Sequence, residues 1–116
     1  MSTNLSIRVL PEPVRSIAFG SIGAAYAGIG SPITNPARWF MLQNFTDAAM
    51  MISMDGVNDH FPINATSYVI MDVASNKSVN GGVFMIAAGT RFYVKQLSGA
   101  AGVGSVYLSV FYGFAS

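Results

Sequence analysis

From Ser105 to Tyr112 the chain alternates without a break: Val106, Leu108, Val110 and Tyr112 fall on one side, Ser105, Tyr107, Ser109 and Phe111 on the other. A period of two marks a β-strand, whose successive Cβ atoms point to opposite faces. Upstream, "TRFYVKQ" sets Phe92 and Val94 against Arg91, Tyr93 and Lys95, an apolar face backed by a polar one. Runs rich in β-branched and aromatic residues predict further strands over 14–19, 37–44, 48–54, 67–73 and 83–89. Helical periodicity is almost absent.

Turn chemistry separates these runs. Asp55-Gly56 predicts a two-residue hairpin, because a type I′ turn needs positive φ at both central positions. Asn80-Gly81-Gly82 and Ser98-Gly99 are expected to act similarly, and Gly20 to Gly23 to turn between "VRSIAF" and a second extended piece, "AAYAGI". That piece is small-residued and lacks the Lys and Glu that guard sheet edges. With seven or eight short strands and no helical crossover, the fold class is all-β, a small antiparallel sandwich or jelly roll over residues 14–116. Residues 1–13, stiffened by Pro11 and Pro13, read as an extended N-terminal arm that reaches a neighbouring subunit or simply frays. Its removal is expected to leave the fold intact and to weaken assembly.

Composition changes the picture in one respect. Hydrophobic residues make up 52% of the 116 residues and charged residues 9%, with a net charge of +1, where a typical globular chain carries about a quarter charged residues. So few ionic groups cannot coat an isolated surface, so part of it is expected to be covered by partners. Nucleic acid is not an expected partner, because Arg8, Arg15, Arg38, Lys77, Arg91 and Lys95 are scattered singly. Nor is a membrane: the apolar run 17–29 is short and broken by Gly20, Gly23 and Gly28. "GSIGAAYAGIG" and "GAAGVG" match no phosphate-loop pattern. With no cysteine, disulfides and thiolate metal sites are excluded.

Candidate chemistry is sparse, and no enzymatic activity, metal or cofactor is expected. "DGVNDHF" gathers Asp55, Asn58, Asp59 and His60, but without the calcium-loop spacing and with too few ligands for zinc, which favours a solvated hairpin tip. Sequons at Asn4, Asn44, Asn64 and Asn76 read as coincidence in a chain rich in Asn, Ser and Thr. Met50, Met51, Met54, Met71 and Met85 read as core filler rather than as an adaptable surface. Of Trp39 and Phe40, one ring should enter the core and the other anchor a contact. Leu10, Arg15, Tyr26, Trp39, Phe61 and Tyr93 are the residues expected at subunit interfaces.

The run "VRSIAFGSI", followed by "NPAR", "LQNFTDAAMMISMDGVNDH", "SNK", "GTRFYVKQ" and "GSVYLSVFYG", resembles a group of small proteins encoded among the structural genes of tailed bacteriophages. The similarity spans roughly residues 14–113 and rests on strand and turn patterns; this chain is richer in methionine than the group's pattern. The resemblance implies a virion component, assembled in many copies in the host bacterial cytoplasm, with itself and other virion proteins such as the major capsid protein as partners. Decoration or cementing of the head is the favoured role, ahead of a head–tail connector or tail ring. The competing class is a free carbohydrate-binding sandwich using Trp39, Tyr68 or Tyr93 as a platform.

Overall fold

Alternation of buried and exposed residues organises nine strands among the residues described by this computed structural model, 7–72 and 86–115. One sheet holds β1 (Ile7–Pro11) and β2 (Arg15–Ala18) end to end along β9 (Ser105–Ala115), followed by β4 (Ala37–Asn44) and β7 (Ser67–Asp72). The other runs β3 (Ala27–Gly28), β8 (Tyr93–Gln96), β5 (Met50–Ser53), β6 (Phe61–Ile63). All pairings are antiparallel, and they nest: β5 with β6, β4 with β7, β3 with β8, β2 with β9. A single long hairpin rolled up so that alternate pairs fall in opposite sheets is the jelly-roll arrangement.

The core lies between the sheets. Val106, Leu108 and Val110 from β9 and Phe40 and Leu42 from β4 face Met50, Ile52, Val94 and Phe92, all at 1% exposure or less. The Phe40 and Phe92 rings meet at 4.9 Å between centroids, tilted by 60°, and so tie the two layers together. The alternation expected of β9 and of "TRFYVKQ" is therefore the buried-in, solvated-out pattern of the sheets. Met50 fills the core as expected, whereas Met71 is 43% exposed and Met85 lies outside the described residues.

Several expectations are corrected. Asp55-Gly56 does not form a two-residue hairpin: β5 and β6 are joined by residues 54–60, because Asp55 caps a wider turn with its carboxylate and only Gly56 of the pair has positive φ. Ser98-Gly99 lies in a connection from one sheet to the other, since β8 and β9 belong to different layers. "AAYAGI" contributes only the two-residue edge strand β3, too short to template pairing. Of the 83–89 run, Ile86 makes an isolated bridge to Ala37, while 83–85 and Asn80-Gly81-Gly82 lie outside the described residues.

The N-terminal segment is also corrected. Ile7–Pro11 is not a loose arm but a strand of the chain's own sheet, in register with residues 111–115 of β9. Just beyond it, Glu12 is buried and bonded to the backbone amides of Thr34 and Asn35 and to the Arg15 guanidinium at 2.8 Å. Arg15 in turn donates to the carbonyls of Ser31 and Pro32. Burial opposes ionisation of Glu12, but these donors outweigh it and hold its pKa below the ordinary carboxylate value. Deleting residues 1–13 would remove β1 and the Glu12 partner of the buried Arg15, so the structure predicts a loss of stability where the sequence reading expects an intact fold.

Candidate functional site

Cross-strand register decides which side chains share the outer face of the β9 sheet. Trp39 stands between Phe111 and Asp72, Met41 between Ser109 and Ile70, and Gln43 between Tyr107 and Tyr68. Each row points away from the core, because the alternate residues Phe40, Leu42, Leu108 and Val110 point into it. A bulge between Ala37 and Trp39 shifts the register and turns the indole outward, where it stacks on Phe111 at 4.0 Å with the rings 8° from parallel. At the other end Phe45 meets Tyr107 edge-on at 5.5 Å.

The resulting face is largely apolar, with Trp39, Met41, Tyr107 and Phe111 half-buried. Tyr68 is 63% exposed, Ile70 55% and Phe45 53%. Within its three central rows Asp72, at the β7 margin, is the one charged residue. Gln43, Ser109 and Asp72 are the interruptions in rows otherwise made of aromatic and aliphatic side chains, fewer polar groups than a solvated sheet face carries.

The other layer carries polar chemistry. From the 54–60 loop Asp59 accepts the Tyr26 hydroxyl at 2.5 Å and the Lys95 ammonium at 3.1 Å, and the ammonium also lies 4.7 Å from the centre of the Tyr26 ring. Desolvation and the neighbouring Asp59 push the Tyr26 phenol up to about 12, so it remains a donor at neutral pH. The same hydrogen bond, with help from Lys95, lowers the pKa of Asp59.

The loop itself is self-capped. Asp55 accepts the amides of Val57 and Asn58 and the Ser53 hydroxyl, which lowers its pKa. Met54 N–H donates to His60 Nδ1 at 2.8 Å, which leaves the imidazole proton on Nε2 beside the Asp55 carboxylate. The Asp55, Asn58 and His60 side chains are thus spent on the turn and Asp59 on Tyr26 and Lys95, and among the described residues no group of three His, Cys, Asp or Glu is placed to hold a metal ion. Asn44 is likewise occupied: fully buried, it bonds Ala48 O, Asn64 O, and Thr46 through N and Oγ1, so it is no glycan acceptor.

The residues expected at interfaces are dispersed. Trp39 lies on the apolar outer face, and Leu10 is partly buried on β1, directly opposite Tyr112. Tyr26 belongs to the polar cluster, and Phe61 is half-buried against the core. Arg15 is a correction: it is buried and fully engaged within its own chain, so it presents no surface to a neighbour. Tyr93 is half-buried, its ring flanked by its own chain. A Cβ on Gly56 would sit 3.2 Å from its ring atoms, and Arg91 lies 5.5 Å from its centroid. Tyr68, Ile70, Met41, Phe45 and Phe111 were not singled out for the interface; the alternation in "SYVIMDV" and "GSVYLSVFYG" carries the signal, since both faces of those strands are rich in apolar residues.

Comparison of the chain with protein-family models, with curated proteins and with solved structures finds no match in any of the three. Among the described residues no helix is long and apolar enough to cross a membrane.

Proposed function

We propose that this protein is a structural subunit of a tailed-phage virion, a head-decorating or cementing protein that packs against neighbouring virion chains through the outer face of its β9 sheet. The observation that carries the proposal is the row arrangement Trp39–Phe111, Met41–Ile70 and Gln43–Tyr107–Tyr68, with Tyr68 and Ile70 exposed and the other five half-buried, on a chain with very few charges. Burying that face removes apolar area from water at roughly 25 cal/mol per Å², and multiplication over many copies turns modest contacts into a firm shell. The resemblance to phage structural proteins supplies the setting, and the jelly-roll arrangement, which recurs in capsid proteins, agrees by analogy.

A free sugar-binding module that uses exposed ring faces is the weaker reading. The Trp39 ring is taken by Phe111 and the Tyr93 ring by Gly56, which leaves Tyr68 alone of the expected platform.

The test combines location and contact. Mass spectrometry of purified virions of a phage encoding this chain should find it in many copies. Ile70→Glu and Tyr68→Asp, both on exposed positions, should leave thermal stability within about 0.5 kcal/mol while reducing incorporation at least tenfold. Absence from the particle refutes the virion reading; normal incorporation of both variants refutes the docking face.

A further inference from the structure

On the opposite layer an open groove of about 430 Å³ lies between β5, β8 and the loop after β8. Its apolar lining comes from Ala24, Met51 and Leu97, and its polar lining from Asp59, Lys95, Gln96 and Ser98. The volume falls in the range of small-ligand sites. The ammonium and the carboxylate sit in contact at 3.1 Å, so the site offers one donor and one acceptor side by side with no net charge. An anion drawn to Lys95 meets Asp59, and a cation drawn to Asp59 meets Lys95. Adjacent hydroxyl groups have no such conflict: one donates to the carboxylate while its neighbour accepts from the ammonium. Beside them, Met51 and Leu97 offer an apolar wall for C–H groups.

From this juxtaposition we propose that the Asp59–Lys95 pocket binds an uncharged vicinal diol, a saccharide of one or two rings. The Tyr26 hydroxyl, bonded to Asp59, is the positioning group: it holds the carboxylate in place before the ligand arrives, which lowers the ordering cost of binding. The site lies on the other layer from the proposed docking face and stands or falls independently of it.

Amide-resolved NMR titration of the intact chain decides the matter, with glucose, galactose and N-acetylglucosamine as probes and acetate, phosphate and methylamine as charged comparators, all at millimolar concentration. At least one sugar should produce saturable shifts centred on Lys95 and residues 97–99. Asp59→Asn should weaken that binding at least tenfold. Leu97→Asp, at a side chain 45% exposed and remote from the core, should do the same by placing a charge at the pocket wall. Unchanged chemical shifts elsewhere establish that each variant is folded. Tighter binding of a charged comparator, shifts centred away from the pocket, undiminished binding by Leu97→Asp, or no saturable response to any sugar overturns the proposal.

Discussion

Replacing Glu12 by Gln removes one charge from a pair whose side chains are only 3% and 8% exposed, while changing almost nothing in volume. The amide must then face the Thr34 and Asn35 N–H groups and the Arg15 guanidinium, all of them donors. Breaking a buried ion pair from one side typically costs about 3–5 kcal/mol, because the remaining charge stays desolvated and unopposed. The Ser31 and Pro32 carbonyls still solvate Arg15, so the lower end applies. For a domain of this size about 3 kcal/mol lowers Tm by roughly 12 °C, a large part of a typical folding free energy. The assay is thermal and denaturant unfolding of the wild type and Glu12→Gln from about pH 3 to about pH 7. The Glu12 pKa is depressed in the folded state, so its contribution is fully present above its unfolded value of 4.5 and is lost as pH falls through the folded value. The stability gap between the two proteins should therefore be constant at neutral pH and close on acidification. Glu12→Gln combined with Arg15→Met should cost less than the two single changes added together. A neutral-pH loss under about 1 kcal/mol, or a gap indifferent to pH, would refute the reasoning.

Two further outcomes follow from close contacts. Gly104 has φ +96, and a Cβ there would land on the Phe45 carbonyl, so Gly104→Ala should cost about 3 kcal/mol or more in denaturant unfolding. Asn44→Ala leaves the Ala48 and Asn64 carbonyls and the Thr46 amide without their buried partner, and should cost about 3 kcal/mol by the same measurement.

Much of the architecture was legible because sheet faces impose a period of two. β4 coincides with the run 37–44, and the inward set Val106, Leu108 and Val110 is the set that alternation selects. What misled was local turn chemistry. Asp55-Gly56 carries the composition of a tight hairpin, but the Asp55 carboxylate caps amides of Val57 and Asn58 and widens the turn to include His60. β6, only three residues with Pro62 at its centre, leaves too faint a periodic signal to register. The candidate sites were less legible still. Arg15 looks like any surface arginine until Glu12, Ser31 and Pro32 converge on it.

The sequence by itself determined the class: alternation with few helical signals dictates strands, absent cysteine removes disulfide staples, and 9% charge requires that apolar residues take a share of the surface. Tertiary structure alone decided which apolar residues those are. Alternation assigns residues to two faces but cannot say which face meets the other sheet. Nor can it say that Trp39, Met41 and Gln43 align with Phe111, Ile70 and Tyr68, because strand order and register are set by contacts between segments far apart in the chain. The same holds for the pairing of Asp59 with Lys95, brought together only when the 54–60 loop folds over β8.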